Sequence, residues 1–188
     1  MAITLKVFSN ESIEAFSNDF CSDEKLETGS LNAAACALAS SLFERAALMA
    51  PKSDRQEYIL RNAEILRKYF IHLIDDDIKA RAGYIKESNE GNIDNAEAAR
   101  HPACSINEEI ISMSTQMLEL GLELKDLLDI KYHHYLKEMA DITLGAIKSS
   151  IDWLLDFTSY SIDDTYKYVV KRENELNLEY IESLYGKY

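Results

Sequence analysis

The chain has 188 residues, with 33 acidic and 20 basic side chains and a formal net charge of −13. Nucleic-acid-binding proteins normally carry a basic surface, so this balance argues against a nucleic-acid partner. With 47% apolar and 28% charged residues, the composition is that of a folded globular protein. We therefore expect residues 1–188 to form one domain.

The sequence also argues against membrane insertion, export and disulfide bonding. No apolar run approaches the roughly 20 residues of a membrane-spanning helix, and the first residues lack the pattern of a secretory signal. The cysteines, Cys21, Cys36 and Cys104, are odd in number and show no CxxC spacing, which disfavours a disulfide framework or a zinc site. We therefore expect a soluble, cytoplasmic protein with reduced thiols and no membrane partner.

Turn residues are few in this chain, because it has only six Gly and two Pro, and this predicts long helices. Apolar residues spaced three and four apart predict a short helix over 12–20, followed by a polar loop over 21–28. Ser30 is placed to cap a second helix of small residues, which ends before the next proline. Ser53 is placed to cap a third helix over 54–87.

The second half of the chain continues the helical pattern. Polar residues around Gly91 and Pro102 predict a loop over 88–102, with one helical turn at 96–99. A fourth helix begins near Ser105 and carries an a/d pattern of apolar residues. A fifth helix follows residues 129–130, and a sixth covers Asp163 to Tyr185.

No segment shows the alternation of a strand, so the pattern predicts an all-α fold, an up-and-down bundle of antiparallel helices. The seams on the second, fourth and fifth helices are rich in apolar residues. They leave apolar surface for a partner subunit, and this favours a homodimer formed through helix faces.

One acidic residue, Asp77, interrupts an apolar stripe on the third helix. The stripe consists of Leu66, Phe70, Leu73, Ala80 and Tyr84. A carboxylate in an apolar seam needs a cation, hydrogen-bond donors or a proton, and such placement is typical of catalytic acids. The alternative is that the stripe veers and all three aspartates over 75–77 are solvated, paired with Lys79 or Arg81.

Gly29 and Ser30 open a helix of small residues. Free N–H groups at a helix N-terminus can bind an anion or a carbonyl, and glycine allows close approach. The alternative is an ordinary cap. The histidines predict no metal site, since His133 and His134 are adjacent and no ExxH pair occurs.

The order of the segments resembles the cyclodeaminase/cyclohydrolase family, which includes the C-terminal domain of formiminotransferase-cyclodeaminase and stand-alone methenyltetrahydrofolate cyclohydrolases. Members open a helix of small residues with a PGGGS turn, and ETGSLNAAACALASSL stands at that place here. Their next helix ends in a motif like LIDEDAEAF, and this chain has LIDDDIKAR. The coinciding positions are Leu73, Ile74, Asp75, Asp77 and Ala80. The resemblance covers residues 12–157, and a C-terminal helix over 163–185 follows it.

Further along, AEAARHP, Asp129 and the pair Gly145–Ala146 resemble later parts of the family pattern. The chain also departs from that pattern. Glu27 and Thr28 replace two glycines of the turn and Leu128 replaces the usual serine, while Ser149 and Trp153 stand where members commonly carry asparagines. These departures affect the expected substrate contacts more than the expected fold.

The resemblance implies a dimeric helical bundle that binds a reduced folate as its substrate, with no tightly bound cofactor and no metal. It implies a reaction at the one-carbon bridge between N5 and N10, by a hydrolase or an ammonia lyase. Asp77 would be the catalytic acid, base and cation stabiliser. Gly29, Ser30, Arg81 and Asp129 would bind the substrate.

Two alternatives remain open at this point. The chain could keep the scaffold as a non-catalytic binding or assembly protein, or keep the fold with a changed substrate. The folate tail is anionic, so with a net charge of −13 a folate enzyme needs a local cation such as Arg81, Arg45 or Lys79. A pocket around Asp77 favours catalysis, while a seam filled by side chains favours a binding protein.

Overall fold

The computed structural model describes residues 28–188 together with Ser12, Ala15, Ser17, Asn18 and Phe20. Within these residues the chain forms five α-helices, one short 3-10 helix and no strand. The helices are α1 (Thr28–Met49), α2 (Asp54–Asn89), α3 (Ile93–Lys125), the 3-10 helix Ile130–Tyr132, α4 (His133–Ser159) and α5 (Asp164–Tyr185). The predicted all-α bundle is confirmed. The predicted helix over 12–20 and loop over 21–28 lie mostly outside the described residues.

Short connections make consecutive helices antiparallel neighbours. Helix α1 packs against α2 and α4, α3 packs against the same two helices, and α5 packs on the outside against α4 and α3. The centre of this bundle is apolar, and Phe43, Phe70, Met117 and Leu154 are all fully buried in it. None of the described helices combines the length and the hydropathy of a membrane-spanning segment.

The start of α2 agrees with the sequence prediction. Ser53 Oγ accepts a hydrogen bond from the Gln56 N–H at 3.1 Å, so the helix begins at Asp54. The Gln56 side chain also donates to the Ala47 carbonyl at 2.8 Å, which ties the end of α1 to the start of α2. With 36 residues, α2 is about 54 Å long. It therefore carries side chains to both ends of the bundle.

The predicted loop over 88–102 is wrong. The turn is confined to 90–92, where Gly91 has a φ of 72°, and α3 begins at Ile93 with Pro102 inside it. Asn92 caps this start by accepting a hydrogen bond from the Asn95 N–H at 3.1 Å. Proline removes one backbone donor from a helix, and in the same turn the buried Arg100 anchors α3 to the end of α4.

Helix α5 starts as predicted and is held at its far end by Tyr188. Asp163 Oδ1 caps the start by accepting hydrogen bonds from the N–H groups of Thr165 and Tyr166. Past the end of the helix, the Tyr188 hydroxyl donates to the Leu118 carbonyl on α3. Its ring lies over Gly121, where an added Cβ would meet it. These contacts fix α5 against α3.

Candidate functional site

Asp77 lies in the apolar stripe of α2 and is only 4% exposed. Its Oδ2 accepts two hydrogen bonds from Ser30 on α1, one from the N–H at 2.8 Å and one from the hydroxyl at 2.6 Å. Donors aimed at an ionised carboxylate offset the free energy that its burial costs. The burial of Asp77 excludes the alternative in which all three neighbouring aspartates are solvated.

Gly29 makes this contact possible. A Cβ on Gly29 would lie within 3.0 Å of the Asp77 carboxyl group, closer than side chains pack. The predicted cap at Ser30 is wrong, because α1 already begins at Thr28 and the Ser30 hydroxyl is used by Asp77. The sequence singled out the right pair of residues, but their partner is a side chain on another helix.

The aspartate next to Asp77 behaves as a surface residue. Asp76 accepts a hydrogen bond from Lys79 Nζ at 2.8 Å, and both side chains are about half exposed. Lys79 is thereby paired on the outer surface of α2. Arg45 is exposed on α1, about four turns from Ser30. Arg81 is therefore the best placed of the three cations that the sequence suggested.

Arg81 follows Asp77 by one helical turn on the same face of α2 and is half-buried. Its guanidinium carbon lies 4.9 Å from the ring centroid of Phe157 and 5.2 Å from that of Tyr84. Trp153 stacks on Phe157 with the ring centroids 4.5 Å apart. The end of the bundle that holds Asp77 therefore also carries a cation and a wall of aromatic rings.

Arg100 supports this wall and was not singled out by the sequence. It is 5% exposed, donates to the Phe157 carbonyl at 2.6 Å and pairs with Glu97 at 3.1 Å. Its guanidinium carbon lies 4.8 Å from the Phe157 ring centroid. The Glu97–Arg100 spacing of i, i+3 was the available signal. Because Arg100 has several partners within the chain, we assign it a structural role.

A second hydrogen bond joins α1 and α4 near Asp77. Asn32 Nδ2 donates to Ser150 Oγ at 2.9 Å, and both side chains are buried. Since Ser150 precedes Trp153 by one helical turn on α4, this bond lies beside the aromatic wall. It places a second polar pair next to the Asp77–Ser30 pair.

A further polar residue, Asn107 on α3, reaches the same level. Arg100 on α3 donates a hydrogen bond to the carbonyl of Phe157 on α4. The two helices are antiparallel, so the position seven residues after Arg100 is level with the position seven residues before Phe157. These positions are Asn107 and Ser150. We call the buried side chains at this level the polar layer. It consists of Ser30, Asn32, Asp77, Asn107 and Ser150. The signal for Asn107 was the same as for Asp77, a polar residue in an apolar seam.

Asp129, a predicted binding residue, lies at the other end of the bundle. It is exposed and caps the 3-10 helix, and hydrogen bonds from the Lys131 backbone and side chain lower the pKa of its carboxyl. The contact between Arg55 and Glu123 places this end of α3 beside the start of α2. About six turns of α2, roughly 33 Å, separate that end from Asp77. The structure therefore brings Gly29, Ser30 and Arg81 to Asp77, but not Asp129.

Two histidines and two cysteines have contacts that explain them as structural residues. The ring nitrogens of His133 and His134 lie 3.1 and 3.0 Å from backbone carbonyls. Cys36 and Cys104 are buried as free thiols, and burial raises the pKa of Cys36 to about 12. Over the described part of the chain, no three His, Cys, Asp or Glu side chains group as metal ligands.

Four surface cavities are found in the described part of the chain, and two of them border α5 or the aromatic wall. One of about 650 Å³ separates α3 from α5 and is lined by side chains that include Glu108, Gln116 and Asn174. The other, of about 180 Å³, opens beside Arg100 and Tyr84. None of the four is lined by Asp77 or Ser30, so none provides the predicted pocket around the carboxylate.

Comparison with known proteins identifies the fold. No family model matches the sequence, and no curated protein matches it. Among solved structures, the formiminotetrahydrofolate cyclodeaminase of Thermotoga maritima is similar, with a TM-score of 0.88 and 17% sequence identity. The alignment covers 95% of this chain and 93% of the other. The chain therefore has the fold of the cyclodeaminase/cyclohydrolase proteins.

Proposed function

We propose that the chain is a folate one-carbon enzyme, either a methenyltetrahydrofolate cyclohydrolase or a formiminotetrahydrofolate cyclodeaminase. The observation that carries this proposal is the buried Asp77 carboxylate, which Ser30 holds above Gly29. The similarity of the fold to a formiminotetrahydrofolate cyclodeaminase supports it. The reduced folate is the substrate, and no tightly bound cofactor is part of the proposal.

In the hydrolase reaction, water adds to the methenyl carbon that bridges N5 and N10. The methenyl group is cationic, so a nearby carboxylate stabilises it, and Asp77 then takes the proton that the attacking water loses. The bond from that carbon to N5 or N10 then breaks as the nitrogen takes up a proton and the added hydroxyl loses one, which leaves a formyl group. Ser30 keeps the carboxylate in place during these steps through its two hydrogen bonds.

In the deaminase reaction, N10 attacks the formimino carbon on N5 and closes the ring, and the proton of N10 moves to the former imino nitrogen. The bond from that carbon to the former imino nitrogen then breaks, and ammonia leaves with a proton that Asp77 supplies as general acid. The product is the methenyl cation, which the carboxylate stabilises once the proton has left. One acidic side chain can therefore serve either direction of one-carbon chemistry.

Substrate binding is assigned to residues at the Asp77 end of the bundle. Arg81 provides a cation for the folate tail, and Trp153 and Phe157 provide flat surfaces for its rings. Gly29 and Ser30 border the carboxylate. Asp129 has no place in a site that one chain forms around Asp77, because it lies at the opposite end.

The proposal includes a homodimer in the cytoplasm. Helix α1 presents Leu31, Leu38 and Leu48 on its outer face, and these side chains are 45%, 58% and 52% exposed. Large apolar side chains on one helix face favour contact with another subunit. A second copy of the chain is the proposed partner for this face.

The decisive experiment follows the near-ultraviolet absorption of methenyltetrahydrofolate, at a pH where spontaneous hydrolysis is slow. We expect the wild type to accelerate its decay and Asp77→Asn to abolish the acceleration. Asp76→Asn is the matched control, because that carboxylate pairs with Lys79 on the surface. In parallel, formation of methenyltetrahydrofolate from the formimino compound tests the deaminase direction.

The Asn substitution also separates chemistry from folding. Asn keeps a carbonyl oxygen that can accept from Ser30, and relief of the carboxylate's desolvation cost offsets the weaker hydrogen bonds, so Asp77→Asn should still fold. A folded Asp77→Asn protein that keeps full activity would contradict the role of this residue. Equal activity loss in Asp76→Asn would show that the effect is not specific to the buried acid.

A second candidate is a non-catalytic binding protein on the same scaffold. The observation that favours it is the packing of the polar layer, since Asp77 is 4% exposed and lines none of the four cavities. If no folate is turned over in either direction while the purified chain is folded and dimeric, this candidate replaces the enzyme.

A further inference from the structure

Asn107 is a buried polar residue whose side chain lacks the hydrogen bonds that most buried polar side chains of this protein make. Its side chain is 0% exposed, and neither Nδ2 nor Oδ1 has a hydrogen-bond partner among the residues that the structure describes. Buried polar groups in native proteins are nearly always paired, and an unpaired amide destabilises the fold. In contrast, Asn32 in the same layer donates to Ser150.

Two independent pairs of contacting residues place Asn107 at the level of Asp77 along the bundle. The pairing of α3 with α4 puts it level with Ser150, as described above. Helices α1 and α3 run parallel, and Cys36 Sγ lies 3.2 Å from Ser114 Oγ between them. Seven residues before these two are Gly29 and Asn107, so Asn107 is level with the glycine on which the Asp77 carboxylate rests.

Several side chains at this level are small. Gly29 and the buried Ala33 lie on α1, and Ser150 lies on α4. Small side chains leave little bulk to displace when a flat ring enters between the helices. Asn107 is shielded from solvent, so its amide becomes available only to a ligand that enters the polar layer itself.

We propose that Asn107 contacts the substrate and determines its specificity, by pairing with the lactam edge of a pterin-type ring. A carboxamide presents a donor beside an acceptor, which matches a ring N–H beside a ring carbonyl, in the way that Asn reads the edge of a base. The proposal rests on the proposed function, because it assumes that a folate reaches Asp77.

The test combines thermal unfolding with calorimetric titration of 5-formyltetrahydrofolate, a stable reduced folate. We expect Asn107→Leu, of similar branched shape, to raise the melting temperature by roughly 2–4 °C, because it removes an unpaired buried amide. We also expect it to weaken folate binding by roughly tenfold or more, because two hydrogen bonds to the ring are lost. A merely structural residue would not move these two quantities in opposite senses.

Asn174→Leu is the matched control. Asn174 is 5% exposed, but its Nδ2 donates to the Val170 carbonyl at 2.8 Å, on α5 and away from Asp77. This variant should lower the melting temperature and leave folate binding unchanged.

The outcomes separate this inference from the proposed function. If Asn107→Leu binds folate as tightly as the wild type, or melts at a lower temperature, only the role of Asn107 is overturned. A wild type that binds no reduced folate would overturn the proposed function and this inference together. Weaker binding with higher stability supports both.

Discussion

The carboxyl group of Asp77 lies directly over Gly29, at a place where no side chain would fit. All three terminal atoms of Asp77 are within 3.0 Å of the position that a Cβ on Gly29 would take. We therefore expect Gly29→Ala to push the carboxylate away from Ser30 or to shift α1. The strain should lower the free energy of unfolding by about 1–3 kcal/mol, measured by urea unfolding. The displaced acid should also abolish folate turnover.

Gly83→Ala is the control for this prediction. Gly83 lies on α2, as Asp77 does, but a Cβ added to it meets no atom within 4 Å. Alanine is the better helix former, so this variant should gain up to about 1 kcal/mol of stability and keep its activity. If Gly29→Ala behaved like Gly83→Ala, the close packing of Asp77 on Gly29 would be refuted.

The Ser30 hydroxyl is the second group that holds Asp77. Ser30→Ala removes the 2.6 Å bond from the hydroxyl and leaves the backbone bond of 2.8 Å in place. A hydrogen bond to a charged group contributes about 1.5–3 kcal/mol, and we expect a stability loss of that size. Ser40→Ala is the comparison, because the buried Ser40 hydroxyl bonds to neutral groups. Equal losses in the two variants would mean that the Asp77 carboxylate adds nothing to the Ser30 bond.

Local signals in the sequence were sufficient where one helix explains a residue. The cap of α2 at Ser53 and the burial of Asp77 follow from local sequence patterns, and the helix predicted over 163–185 lies within one residue of α5. They failed where the partner lies far away in the chain. Ser30 is bound to a residue 47 positions later, not to its own helix end.

The polar layer shows the same limit more clearly. Asn107 lies in the apolar seam of α3 that contains Ile110. The sequence alone does not show that other polar residues lie at the same level on the neighbouring helices. Asp129 matched a family position by its place in the sequence, but the order of residues along a chain does not say which end of a bundle they reach. Only the packing of α1 against α3 and α4 shows which polar residues meet.

Glu97 makes stability depend on pH at the Asp77 end of the bundle. Burial raises the pKa of this carboxyl, but hydrogen bonds from Ser161 and Arg100 outweigh it and hold the pKa below its ordinary value of 4.5. A lowered pKa means that the contribution is fully present above that ordinary value and is lost as the pH falls through the pKa in the folded state.

We therefore expect Glu97→Gln to lower the free energy of unfolding by about 3 kcal/mol at pH 7, because it leaves the buried Arg100 without its counter-charge. The difference from wild type should shrink as the pH falls below 4.5. Urea unfolding at pH 7, 5, 4 and 3 measures it. A difference that stays constant over this series would show that the Glu97 charge is not involved.

Tyr188 offers a way to change stability without changing the site. Its ring lies over Gly121 on α3, its hydroxyl donates to the Leu118 carbonyl, and burial raises the pKa of that hydroxyl. Tyr188→Ala should lower the free energy of unfolding by about 3 kcal/mol, as for other large aromatic truncations. Folate turnover well below the melting temperature should not change. A selective loss of turnover in the folded variant would contradict this separation.

Pro102 led to the wrong prediction of a loop, because it lies inside α3 and not at the end of a helix. It is exposed on α3, two residues after the buried Arg100 that anchors this turn to α4. Proline in a helix interior costs up to about 3 kcal/mol relative to alanine, and part of that is offset because proline restricts the unfolded chain. We expect Pro102→Ala to raise the free energy of unfolding by about 1–2 kcal/mol, measured by thermal unfolding.

Arg100→Ala tests whether the anchor to α4 stabilises this turn of α3. Loss of the anchor should lower the free energy of unfolding. If Pro102→Ala left the free energy of unfolding unchanged or lowered it, Pro102 would not destabilise α3, and Arg100 would not be compensating for it.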